Sequence, residues 1–385
     1  MELVENYRLR YNFGNNNQLR ISNLLNEILN GSNNLFAEQL QNGQIGNVQN
    51  EYAEMISFIS NVEEYLYYYK DSQNFENILN SISNIKKISV LPINERGIYG
   101  RAISEENTLL INPSLGASST LNHKERTRLY VAHELGHFVN NKWMTTIYKF
   151  LDTRVRAGKM TNEQANLFSE GFSMLDEAIT QNNAENFAYS FAGKSRPNKQ
   201  YTTRGVGVFG NRQYLTNYDF YGEFQLPTAK FAKTLRGIGK YNDDDVALDI
   251  LCKRALSPSF ALDIIEEYNK DGQIDNFYKI VDNMGIIKQA VYTSFGGDDN
   301  IMALQNSQRA LEDFYSLTAR MRDYRDIAEI SEQYSTVYNF QQITPQNITN
   351  LTTRTVEQNP GIISKGLDRI KGVIKKIKDR ITGER

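Results

Sequence analysis

Eleven consecutive residues, Leu129 to Val139, carry a single formal charge. They read Leu-Tyr-Val-Ala-His-Glu-Leu-Gly-His-Phe-Val, and outside His133, Glu134 and His137 every one is uncharged. A glutamate inside such a run is costly to bury unless it has work to do or a partner to meet. The run must be covered by other elements, so the chain has to build a core around it. Gly136, lacking a side chain, allows one of those elements to approach closely.

On an α-helix, positions i and i+4 share a face. His133 and His137 therefore present two imidazoles side by side, and two neutral imidazoles at this spacing can hold one Zn²⁺. Glu134 follows the first of them and is placed to bond a metal-associated water rather than the metal itself. This is the logic of HExxH, in which the metal acidifies water and the carboxylate takes its proton. Asn122 with Glu125 three residues on makes a capping box, which predicts a helix from Asn122 to about Val139.

The chain has three histidines, which restricts the third ligand. No histidine follows at 143, where Trp143 stands, and Asn140 occupies the position of a metal-motif glycine. His123 lies ten residues upstream at the helix start, and its expected place is solvent. The third ligand is then a carboxylate from a later helix, predicted over residues 175–192. Glu177 and Glu185 compete for the role. They differ by roughly 80° around the helix and two turns along it, so one ion cannot use both. Glu177 is preferred: Ala184 and Ala188, at i+7 and i+11, are small enough for close helix approach, and Glu177 is expected near the helix start. Glu185 stays the alternative.

The remaining chain is read around this element. At 385 residues it can form one large domain with appendages, or two domains, and 40% apolar with 23% charged residues is ordinary for a globular protein. A net charge of −2 gives no global reason to expect a nucleic-acid partner. The single cysteine, Cys252, excludes an intrachain disulfide and a thiolate metal cluster, and is expected as a small buried residue.

Residues 1–85 read as helices broken by Asn/Gly-rich turns at Asn15 to Asn17, Asn30 to Asn34 and Gln41 to Gly43. Three short strands follow, Ile88 to Pro92, Gly97 to Ile103 and Asn107 to Pro113. Residues 194–217 are expected to be a loop bordering a cleft. Their glycine run, Gly205 to Gly210, lacks the flanking strand and the GK[ST] of a phosphate loop. Helical pattern resumes from Tyr218. The fold class expected is α+β, mostly helical, with a small sheet, in four parts: an N-terminal helical region over 1–85, a metal-bearing domain over 86–340, a linker over 341–360, and a terminal helix over 361–385. The terminal helix has eight Lys/Arg against three Asp/Glu and an apolar stripe. Such a helix packs on its own protein, lies on an anionic membrane surface, or joins an oligomer. No secretory signal and no apolar run of about 18 residues is evident, so the default location is the cytoplasm, with signal-less export open.

The segment from Ile88 to Ala192 resembles the catalytic core of the gluzincins, bacterial zinc metallopeptidases in which HExxH is completed by a glutamate on a second helix. Leu175-Asp176-Glu177-Ala178-Ile179-Thr180-Gln181 is similar to the NEG-x-T-E helix of that clan. The Glu185 segment instead resembles the E-x-F-A helix of the lethal-factor peptidases. The resemblance implies a zincin-like core, Zn²⁺ on His133, His137 and Glu177, and peptide-bond hydrolysis of a peptide or protein substrate with Glu134 as general base. It implies a Tyr or His donor to the oxyanion; no histidine follows His137, so Tyr218, or Tyr221, is the candidate. A substrate strand is expected to pair along Gly97 to Ile103, and Asp176 to orient a ligand histidine or to cap its helix. The rival reading is a non-catalytic zincin-like binding or regulatory module. Retention of Glu134 argues against it.

Overall fold

The computed structural model describes residues 4–114, 121–196, 222–295 and 309–325. They are mostly helical, with one small sheet. Helices α1 (Asn15–Gln41), α2 (Val48–Tyr69) and α3 (Phe75–Ile82) precede strands β1 (Lys87–Val90), β2 (Gly100–Ile103) and β3 (Thr108–Ile111). Helices α4 (His123–Arg156) and α5 (Asn162–Phe191) follow, then α6 (Gly222–Ala232), α7 (Asp244–Ala255), α8 (Phe260–Lys270) and α9 (Ile274–Phe295). Residues 309–325 are helical too. Among the described residues no helix is long and apolar enough to cross a membrane.

The Asn-rich stretch at 30–34 does not end a helix, contrary to the sequence reading, and neither does Asn15 to Asn17, which opens α1. The reason is tertiary. A Cβ at Gly31 would sit 2.1 Å from the Lys86 carbonyl oxygen, so only glycine lets α1 lie this close to β1. Beside it, buried Ser32 donates to the Ile28 carbonyl and accepts from the Ile88 N–H. The expected turn at Gln41 to Gly43 does form, with Gly43 at φ 68°.

The three strands sit where the sequence pattern puts them, each shorter than expected. Their order is β1-β3-β2, with β1 parallel and β2 antiparallel to β3. Central β3 is buried along its length. Asn112 N–H donates to the Tyr99 carbonyl, and Arg101 and Ile103 pair with Leu110 and Thr108. By the alternation of an antiparallel ladder, Gly100 and Ala102 therefore turn their backbone groups to the outer edge of the sheet.

Helices α4 and α5 exceed the sequence expectation. The capping box at Asn122 and Glu125 starts α4 as expected, but the helix continues to Arg156 because Trp143, Met144, Ile147 and Leu151 extend its buried stripe. Helix α5 begins at Asn162, capped by Thr161 with Gln164, more than ten residues before the expected start, because Phe168, Phe172 and Leu175 carry the same kind of stripe. Glu177 is thus mid-helix, not near a helix start, and Asp176 is not a cap.

Two cores result. One joins α1 to α3, the sheet, Leu129 to Val139 of α4 and Ala184 to Tyr189 of α5. The other joins Trp143 to Leu151 of α4, Phe168 to Ile179 of α5, the later helices and residues 309–325. The two long helices run antiparallel and exchange cores between residues 139 and 143 on α4 and between 179 and 184 on α5.

Candidate metal centre

His133, His137 and Glu177 converge at this exchange point. Their helices are held together by the small residue anticipated in the sequence. A Cβ at Gly136 would lie 2.6 Å from Thr180 Cγ2, so α4 and α5 touch there at backbone range. The separations are 3.3 Å from His133 Nε2 to His137 Nε2, 3.5 Å from His133 Nε2 to Glu177 Oε2 and 3.8 Å from His137 Nε2 to Glu177 Oε2.

The tautomers follow from the partners. His133 Nδ1 is 3.0 Å from Gln181 Oε1, whose amide nitrogen donates to Glu185, so the oxygen faces the imidazole and Nδ1 carries the proton. His137 Nδ1 donates to Asp176 Oδ2 at 2.8 Å. Asn140 donates to Asp176 Oδ1 and to Thr180 Oγ1, and Trp143 Nε1 donates to Asn140. Both Nε2 atoms are left to point at Glu177 Oε2, a buried oxygen that makes no hydrogen bond.

Two imidazole nitrogens and a carboxylate oxygen come this close only with positive charge among them, a proton on His137 Nε2 in the metal-free chain or a cation in its place. A tetrahedral site with bonds of about 2.0–2.1 Å has ligand-to-ligand edges of about 3.4 Å. The observed triangle fits that size and the N/N/O donor set of zinc. The imidazoles are braced in the manner of metal-ligating histidines, each by its second nitrogen. The His137 and Glu177 side chains are about one-fifth exposed, 20% and 19%, while His133 is 3% exposed.

Charge is distributed to match. Burial pushes the Glu134 carboxyl above the usual carboxylate range, and Glu177 adds to it, against the pull of the two imidazoles and the Ala102 N–H. Burial opposes charge on His137, yet Asp176, Glu177 and Glu134 together raise its pKa to about 10. Burial would also raise Glu177, but His133, His137 and the Lys288 ammonium override it and bring it to about 2.

Other sequence candidates fall elsewhere. Glu185 belongs to the outer ring, holding Gln181. His123 opens α4, half exposed, with Nε2 2.8 Å from Glu54. Cys252 is buried on α7. Tyr218, Tyr221, the Gly205 to Gly210 loop, the 341–360 linker and the 361–385 helix lie outside the described residues. Gln181 was not singled out from sequence. Its signal was available: a polar residue four positions after Glu177, on the same helix face. Comparison with protein-family models, with curated proteins and with solved structures found no match.

Proposed function

We propose that the chain is a zinc-dependent metallopeptidase of the gluzincin type. The observation that carries this reading is the 3.3, 3.5 and 3.8 Å triangle of His133, His137 and Glu177, with buried Glu134 directly after the first ligand.

His133, His137 and Glu177 would hold the ion. Zn²⁺, when bound, supplies Lewis-acid polarisation of water and of a scissile carbonyl. Gln181 and Asp176 hold the imidazoles with Nε2 toward the ion. Glu134 is the general base: its carboxylate takes a proton from the attacking water and returns it to the leaving amine. A raised pKa suits this, since a base poised nearer neutrality both accepts and releases a proton readily. An extended substrate adds to the outer edge of β2, where the Gly100 N–H and carbonyl and the Ala102 carbonyl face away from β3.

Zinc analysis and peptide-library cleavage of the wild-type chain and of Glu134→Gln test the reading together. The expected result is about one zinc per chain in both, with cleavage reduced by about 10²–10⁴-fold in the variant. Absence of bound zinc in the wild-type chain, or equal cleavage by Glu134→Gln, overturns it. Zinc in both with cleavage by neither indicates the non-catalytic binding module instead.

A further inference from the structure

The general base has a seat, and the seat is made by the sheet. Gly100 opens β2, and a Cβ built there would come 2.7 Å from Glu134 Oε1, 2.8 Å from its Cγ and 3.0 Å from its Cδ. Two residues on, the Ala102 N–H, turned to the outer edge of β2, is one of the groups that pull the Glu134 pKa down against burial. Glu134 is 7% exposed, so the carboxylate is enclosed on the side where Gly100 has no side chain.

The backbone does not demand glycine at this position. The glycines with positive φ are Gly14, Gly43, Gly158, Gly193, Gly237 and Gly272, and Gly100 is not among them. An alanine could adopt its conformation. What it could not do is share space with the Glu134 side chain. The crowded atoms belong to the far end of a flexible side chain, so the cheapest relief is to move the carboxylate and leave the fold in place. The contact thus selects for glycine through Glu134 and not through strand geometry.

We propose that Gly100 is a positioning residue for Glu134: its missing side chain fixes where the carboxylate of the base stands relative to the ligand histidines. This rests on the metallopeptidase reading. It adds that β2 sets the base as well as offering an edge to substrate. A misplacement of about 1 Å in a catalytic group can cost about 10²-fold in rate.

A double-mutant cycle of Gly100→Ala and Glu134→Ala, read in both cleavage kinetics and thermal melting of the zinc-loaded chain, tests it. In the wild-type background Gly100→Ala should lower kcat by about 10- to 100-fold, with KM and zinc content unchanged. In the Glu134→Ala background the same substitution should cost less than about twofold, because the group it displaces is gone. Melting should show the same coupling: Gly100→Ala lowers Tm by about 2–4 °C when Glu134 is present and leaves it unchanged or raised when it is not. A Gly100→Ala chain that folds only in the Glu134→Ala background supports the proposal equally. Equal effects of Gly100→Ala in both backgrounds, in rate and in Tm, overturn it. Coupling in Tm with no cleavage by the zinc-loaded wild-type chain overturns the metallopeptidase reading, and with it the positioning role, while the packing contact stands.

Discussion

His137 Nδ1 donates to Asp176 Oδ2 at 2.8 Å, tying the second histidine of the HELGH helix to the residue directly before Glu177. One hydrogen bond thus orients one candidate ligand from the residue next to another. Asp176→Ala should weaken zinc affinity by about 10- to 100-fold, with the fold intact. Chelator competition measures it; an unchanged affinity would mean that packing alone orients His137.

Glu177 and Glu185 separate cleanly in the same assay. Glu177→Ala removes an oxygen that faces both Nε2 atoms and should abolish zinc retention through gel filtration. Glu185→Ala removes the acceptor of the Gln181 amide and should weaken zinc by about tenfold or less. The reverse ranking would place the third ligand on Glu185.

The charges predict opposite pH trends for metal-free and zinc-loaded protein. The raised pKa of His137, about 10 against an unfolded value near 6.5, contributes stability that is full below about pH 6.5 and lost as pH rises through 10. The depressed Glu177, about 2, contributes stability present above about pH 4.5 and lost as pH falls through 2. In EDTA, Tm should therefore decline from pH 7 to pH 10. Zinc must displace the His137 proton, so the Tm gain on adding zinc should grow over the same range. Calorimetric titration at pH 7.5 in buffers of different ionisation enthalpy should show release of about one proton. No release would mean that His137 is neutral in the metal-free chain.

Gly136→Ala should push α4 from α5, because its Cβ would meet Thr180 Cγ2 at 2.6 Å. Overpacking of this kind costs about 1–3 kcal/mol, readable by urea denaturation. Thr180→Ala in the same chain should recover part of the loss by vacating the space. Additive losses would show that the crowding lies elsewhere.

Local chemistry was readable where it is written locally. The i, i+4 histidines, the Asn122/Glu125 capping box and the short β-branched runs each carry their own structural instruction, and those elements form. Helix extent was not readable in this way. The run from Asn30 to Asn34 is turn-like by composition, yet α1 passes through it because Gly31 and Ser32 are matched to Lys86 and Ile88, more than fifty residues away. The end of α4 and the start of α5 depend on a second core that the later helices complete, so a window around the histidines underestimates both helices. Around the site, Glu177 could be nominated from its residue type. The bracing by Gln181 and the seating of Glu134 against Gly100 depend on which helix faces and strand edges meet.

The exchange of cores between α4 and α5 has a consequence for how the molecule comes apart. Neither core is complete without a stretch of both helices, so melting one removes a wall from the other. The two cores should unfold as a single cooperative unit, with one transition by near-UV circular dichroism, far-UV circular dichroism and calorimetry alike. A ligand held at the shared helices would raise that one transition as a whole and would not split it into two.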